Sequence, residues 1–191
     1  MNLRKRQTHM LTAYLGLGTN QGERRGHLQA AVDRLSASEA IRVHEASPVY
    51  ETDAHTRPSS GPQPSFLNAV LRATVACSPE ALLRTAHAVE AAEGRTRPAE
   101  RWAPRPLDID LLVVGRVTQT RDALTLPHPR LAERRFVLRP WADLAPNFLV
   151  PPPFEAPVHC LLADCPDDAA IRRTTHTLRV RPPDAPFPGA L

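Results

Sequence analysis
The run Arg101-Trp102-Ala103-Pro104-Arg105-Pro106-Leu107-Asp108-Ile109-Asp110-Leu111-Leu112-Val113-Val114 constrains this chain more than any other stretch. Pro104 and Pro106 disfavour helix, and the branched aliphatic residues that follow are numerous enough for a buried strand. Side chains alternate along a strand, so Asp108 and Asp110 share one face while Leu107, Ile109 and Leu111 point into the opposite layer. Two adjacent carboxylates there repel each other and lose hydration, a cost that a cation between them relieves. Magnesium suits the pair, because it takes oxygen ligands and is usually bound by one or two carboxylates plus substrate phosphates. Taken alone, an Asp-x-Asp pair also fits a strand end or a solvated face. Arg101 and Arg105 just upstream favour the metal reading, since guanidinium groups make forked contacts with phosphate oxygens. Carboxylates for a metal beside arginines for phosphate form a phosphoryl-transfer constellation, in which catalysis is mostly positioning and charge neutralisation.

At 191 residues the chain is long enough for one domain with a full core and no disulfide staples. It has no run of eighteen apolar residues, and residues 1–12 are polar and basic rather than signal-like, so a soluble intracellular protein is expected. Cys77, Cys160 and Cys165 are an odd number, which fits a reducing compartment. Cys160 and Cys165 with His159 and His176 match no strong zinc spacing and read as ordinary thiols. The net charge of +4 and pI near 9.5 permit an anionic partner without identifying one. Lys5 is the only lysine, which excludes both a Walker-A loop and a protein-kinase strand lysine. Any nucleotide must be held by arginines, backbone and metal.

In chain order, residues 1–11 read as a disordered leader and 13–18 as a first strand. Asn20 with Glu23 resembles a capping box, and Leu28, Ala31, Val32 and Leu35 then keep helical spacing. Gly16-Leu17-Gly18 is no dinucleotide fingerprint, because the next glycine, Gly22, is misplaced. Residues 41–50 predict a second strand, and 51–64, rich in Pro, Ser, Gly and His, a long functional or disordered loop. Residues 66–77 alternate, with Leu67, Ala69, Leu71, Ala73, Val75 and Cys77 on one face and Phe66 and Asn68 on the other. An aromatic ring beside an amide fits a flat heterocycle, and equally a surface aromatic beside a turn. Ser78-Pro79-Glu80 caps a helix that Gly94 closes, with Leu82, Leu83, Ala86 and Val89 inward and His87 and Glu90 on another face. Residues 94–106 form a second loop, whose Arg95, Arg97, Arg101, Trp102 and Arg105 suit a lid over an anion as well as a solvated surface loop. A turn at 115–118, an extended 124–129, and a helical stretch through Arg134, Phe136, Leu138, Trp141 and Leu144 complete the core. The proline-rich segment 164–191 reads as an extended tail with little packing of its own.

Gly18-Thr19-Asn20, Phe66-Leu67-Asn68, Glu90 with Gly94-Arg95-Thr96-Arg97, the 101–110 motif, and Leu126-Pro127-His128 followed by Arg134 and Phe136 occur in that order. Together they resemble the 6-hydroxymethyl-7,8-dihydropterin pyrophosphokinase family over residues 12–163. The resemblance implies a compact α+β domain, with a ferredoxin-like core of antiparallel sheet and flanking helices, and flexible loops closing over the substrates. It further implies transfer of pyrophosphate from ATP to the pterin hydroxymethyl group, with release of AMP, in folate biosynthesis. Asp108 and Asp110 would bind two magnesium ions, Phe66 and Phe136 would sandwich the pterin, and Asn68 and Thr52 would hydrogen-bond its edge. Arg95 and Arg105 would clamp the phosphates, with Arg97 and Trp102 closing the lid on the nucleotide and pterin sides. His87, Glu90, Thr125, His128 and Arg134 would lie towards the nucleotide. A cytoplasmic monomer whose partners are small molecules, without nucleic acid or membrane, is expected. Ala123, Pro129 and Pro98 depart from the family pattern, which bears on nucleotide affinity and loop kinetics.

Two other classes fit parts of the sequence. Asp-x-Asp with a metal also serves nucleotide-sugar transferases, and a basic ferredoxin-like module can bind RNA. Aromatic residues are only 5% of the chain and no paired stacking aromatics lie on its strands, which weighs against RNA.

Overall fold
The computed structural model describes residues 10–54, 63–95 and 104–180. Strands β1 (Leu11–Thr19), β2 (Ile41–Ala46), β4 (Phe66–Val75) and β5 (Asp108–Val114) and helices α1 (Arg24–Ser36) and α2 (Pro79–Ala92) run in the order β1-α1-β2-β4-α2-β5. This β-α-β-β-α-β succession is the ferredoxin-like core. Every pairing in its sheet is antiparallel, with β1 between β4 and β5. The far edge of β4 is shared by β2 and a short β3 (Tyr50–Thr52).

The expected single strand over 41–50 is thus two strands. Pro48 lacks an N–H for the ladder, and Ser47 satisfies the break: its N–H donates to Val70 O at 2.8 Å while its Oγ accepts the Val70 N–H at 2.9 Å. Thr52, expected in a loop, completes β3 and faces inward.

One face of the sheet packs on α1 and α2. Leu28, Ala31, Val32 and Leu35 of α1 are buried there, as is the alternating set of β4 from Leu67 to Val75. Ser78 caps α2 by accepting the Ala81 N–H, and Gly94 leaves the helix at φ +90°, a conformation that favours glycine. The capping box at α1 does not form: Glu23 occupies the cap position without a side-chain bond, and the Asn20 side chain is used elsewhere.

The opposite face is half covered. Helix α3 (Arg135–Leu144) and helix α4 (Val158–Ala163) bury Tyr14, Val70 and Leu112. Trp141 is fully buried against Tyr14, with ring centroids 4.9 Å apart. A small hairpin of β6 (Gln119–Arg121) and β7 (Leu124–Leu126), the latter within the extended segment expected over 124–129, joins β5 to a 3-10 turn at Leu131–Glu133.

Both ends of the described chain pack more than their composition suggests. Leu11, expected in the leader, pairs with Val75. Residues 164–180 are not a loose tail: β8 (Ile171–Arg173) pairs antiparallel with β3, and Leu178 and Val180 pack on the first core. An exposed sheet edge accepts three residues of strand without any hydrophobic periodicity, so composition alone misses this.

Glu51 on β3 ties this edge together. Its Oε1 accepts from Ser65 Oγ at 2.6 Å and Arg24 Nη1 at 3.0 Å, and its Oε2 accepts from Arg172. Those bonds, led by Ser65, hold its carboxyl at about 2 instead of 4.5. A depressed carboxyl stabilises the fold above its unfolded pKa, and the contribution is lost as pH falls from 4.5 through about 2. Because Arg172 is largely exposed, the contribution is on the order of 1–3 kcal/mol. Glu51→Gln should therefore be less stable than wild type in denaturant unfolding at neutral pH, and the gap should narrow as pH drops below 4.5. A gap independent of pH would assign the loss to packing instead.

Candidate active site
The uncovered half of the second sheet face floors a cavity of about 560 Å³. Gly16 and Gly18 of β1 lie between Val70 and Asn68 on one side and Asp110 and Asp108 on the other. A Cβ on Gly18 would stand 3.4 Å from Asn68 Oδ1 and 3.9 Å from Asp108 Cβ, so any larger side chain would fill the space between amide and carboxylate. The glycine pair that fails as a dinucleotide motif is in fact the floor of this cavity.

Asp108 and Asp110 point into the cavity from β5, as alternation requires, while Leu107, Ile109 and Leu111 are buried on the other side. Both carboxylates are held by arginines. Asp108 Oδ2 accepts from Arg105 Nη1 at 2.8 Å and its Oδ1 from Arg95, and Asp110 Oδ2 accepts from Arg134 Nη1 at 2.6 Å. With Glu90, which also pairs with Arg95, three arginines face three carboxylates, so the cluster is charge-balanced without a ligand and a phosphate anion needs a cation to accompany it. Among the described residues no three metal-ligating side chains cluster. An ion at this carboxylate pair would therefore take its remaining oxygens from phosphate and water, which is how magnesium is commonly held. The donor set fits it.

Two anchors fix the arginines. Glu90 on α2 is 1% exposed beneath β5; its Oε1 accepts the Ile109 N–H at 2.8 Å and pairs with Arg95. It does not line the cavity, so its contribution is to position Arg95 and the aspartate strand. Asn20, fully buried, accepts the Arg105 N–H on Oδ1 at 2.8 Å, and its own N–H donates to the Arg105 carbonyl at 3.2 Å. Its Nδ2 reaches Gln63 and Pro64 at 3.4 and 3.5 Å, so one amide joins the stems of both long loops.

The walls divide in chemistry. On one side Asn68 Nδ2 donates to Thr52 Oγ1 at 2.9 Å, beside Phe66; opposite them Phe136 projects from the first turn of α3. Arg134 lies over the Phe136 ring at 5.7 Å from its centroid. At the other end, Arg130 and Glu133 form an ion pair at the rim. His128 follows β7, its Nδ1 accepting the Arg130 N–H at 3.1 Å. That bond fixes the neutral tautomer with the proton on Nε2. Burial, against the pull of Asp110 and with help from Arg134 and Arg130, lowers the His128 pKa below 6.5, so the ring is neutral at physiological pH.

The structure thus brings together Thr52, Phe66, Asn68, Arg105, Asp108, Asp110, Arg134 and Phe136 at one cavity, with Arg95 at its edge. His87 and Thr125 are partly buried outside its lining. Arg97, Arg101 and Trp102 lie outside the described residues. Gly16, Asn20, Arg130, Glu133, Pro166 and Asp167 are additions to the expected site residues; the sequence assigns the glycine pair no role, and the capping role it suggests for Asn20 is replaced by the bonds to Arg105.

Comparison with known proteins agrees with this geometry. The sequence model of the 7,8-dihydro-6-hydroxymethylpterin-pyrophosphokinase family matches residues 14–146. A Methylorubrum extorquens 2-amino-4-hydroxy-6-hydroxymethyldihydropteridine pyrophosphokinase is 40% identical over 141 residues, covering 74% of this chain and 87% of the relative. The Pseudomonas aeruginosa enzyme of the same name is 38% identical over 161 residues, covering 83% and 94%. Among solved structures, a wild-type Plasmodium falciparum HPPK-DHPS with pteroate superposes with a TM-score of 0.63 at 13% identity, over 81% of this chain and 42% of that one. An HPPK-DHPS in complex with substrates gives 0.62 at 13%, over 80% and 43%. This chain spans less than half the length of these solved chains, and at such identity they attest the fold alone. Fold, cavity and sequence match converge: the chain belongs to the 7,8-dihydro-6-hydroxymethylpterin-pyrophosphokinase family.

Proposed function
We propose that this protein transfers the terminal pyrophosphoryl group of ATP to the hydroxymethyl oxygen of 6-hydroxymethyl-7,8-dihydropterin, giving the pterin diphosphate and AMP. The observation that carries this reading is the co-facial Asp108 and Asp110, each braced by arginine, at the floor of a cavity walled by Phe66 and Phe136. The hydroxyl oxygen attacks the β-phosphorus in line, the bond from that phosphorus to the α-phosphate bridging oxygen breaks, and the hydroxyl proton is released.

Phe66 and Phe136 stack on the two faces of the pterin, and the Thr52–Asn68 pair hydrogen-bonds its edge. Arg95, Arg105 and Arg134, paired with carboxylates in the free enzyme, exchange those partners for phosphate oxygens when the triphosphate enters. Asp108 and Asp110 hold two magnesium ions, which when bound neutralise the phosphate charge and lower the pKa of the attacking hydroxyl. Neutral His128 offers its Nε2–H to the nucleotide. No described side chain is placed as a general base, so the chain contributes position and charge.

The protein acts in the cytoplasm, a reading supported by Cys77, Cys160 and Cys165, whose free thiols suit a reducing compartment. No described helix is long and apolar enough to cross a membrane. The deciding assay supplies ATP, magnesium and the pterin alcohol and separates AMP from ADP. AMP dependent on both pterin and metal is expected. ADP would mean that a single phosphoryl group moves, and the reading would be wrong.

A further inference from the structure
The segment after α4 is not absorbed by the mechanism above, yet it reaches the cavity. Residues 165–173 leave α4, pass the start of α3, and end as β8 on the edge of β3. Pro166 and Asp167 line the cavity beside Phe136 and Val137. Arg134 occupies the cap position of helix α3 and makes no side-chain cap bond there. Asp167 supplies one from 32 residues away: its Oδ2 accepts the Arg135 N–H at 3.1 Å. Its Oδ1 accepts the Ala169 N–H at 3.1 Å, which turns the chain towards β8. Four residues beyond Asp167, Ile171 pairs with Thr52.

These contacts join the two walls of the pterin end. The first turn of α3 carries Phe136 and follows Arg134, which holds Asp110, whereas Thr52 on the other wall holds Asn68. We propose that residues 165–173 are a strap that sets the spacing of the pterin slot, with Asp167 as a positioning residue for the pyrophosphoryl transfer proposed above. Asp167 does not touch the reacting atoms. It fixes the helix turn from which one stacking ring projects, while β8 fixes the strand from which the edge-reading hydroxyl projects. The proposal rests on the pterin pyrophosphokinase reading of the site.

The test compares wild type, Asp167→Ala and Asp167→Asn for pterin affinity by fluorescence, nucleotide affinity with a non-hydrolysable ATP analogue, and AMP formation. Asp167→Ala should weaken pterin binding roughly three- to tenfold, the range of one lost cap, with a smaller change in nucleotide affinity. Asparagine keeps an acceptor oxygen for the Arg135 N–H and should recover most of the loss, and it serves as the readable variant if alanine fails to fold. Equal losses for both substrates, or no change in pterin affinity, would overturn the strap. A wild-type protein that binds no pterin and forms no AMP would overturn the functional reading, and the strap with it.

Discussion

Asp110→Ala is expected to abolish AMP formation while the fold stays intact. Asp110 sits on the cavity side of β5 with its side chain 32% exposed, and its Oδ2 accepts from Arg134 Nη1 at 2.6 Å. A partly exposed ion pair at the mouth of a cavity contributes about 1 kcal/mol, so the melting temperature should fall by no more than about 4 °C. The strand itself is held from the other side, where Ile109 and Leu111 are 3% exposed and Glu90 binds the Ile109 N–H. Catalysis has no such redundancy. Removing one of two carboxylates leaves the triphosphate charge uncompensated where the β-phosphorus must be approached by an oxygen. Several kilocalories of charge stabilisation are at stake, so turnover should drop by roughly 10³-fold or more. Near-normal turnover in a folded Asp110→Ala variant would remove the metal assignment. Loss of activity together with loss of fold would mean that the aspartate is structural.

The contrast between that residue and its neighbours shows what a sequence of this kind makes legible. Period-two alternation places Asp108 and Asp110 together without any knowledge of the rest of the chain, because the geometry of one strand suffices. The same holds for the buried stripe of α1 and the Ser78 cap of α2. Residues whose work is done at long range leave no such trace. Asn20 followed by Glu23 has the spacing of a capping box, yet the Asn20 amide binds Arg105, 85 residues on. Glu90 resembles a polar residue on the outer face of α2 until β5 is laid over it and its carboxylate becomes buried with Arg95 and the Ile109 N–H. The C-terminal segment is rich in proline and has no period, so composition predicts a loose tail; what orders it is an open sheet edge and an uncapped helix, both made elsewhere in the chain. The alternating β4 strand suggests one apolar and one polar face, but α3 covers Val70 on the second face and leaves Asn68 to the cavity. Which half is covered depends on the path of the chain after β5, which no local pattern encodes.

Arg105→Ala should separate binding from catalysis. The main chain of Arg105 is held independently of its side chain, through the N–H to Asn20 Oδ1 and the carbonyl to the Asn20 N–H, so truncation leaves the loop stem in place. What is lost is a guanidinium that sits 2.8 Å from Asp108 in the free enzyme. In the free state that group serves to neutralise a carboxylate; in the proposed transfer its forked donors would face phosphate oxygens whose charge redistributes as AMP departs. Its contribution should therefore appear mainly in kcat, with a loss of roughly 10²-fold or more. Pterin dissociation constants should change by less than about threefold, under 1 kcal/mol. Arg105→Lys should recover little, because an ammonium is a point charge and cannot make the same fork. Stopped-flow single-turnover measurements with saturating ATP, set against equilibrium pterin titrations, separate the two quantities. If the pterin constant rose in step with a falling kcat/KM while kcat stayed level, Arg105 would be holding substrate in its ground state. The arginines around the aspartate pair would then be docking groups, and the rate acceleration would have to come from the carboxylate site alone.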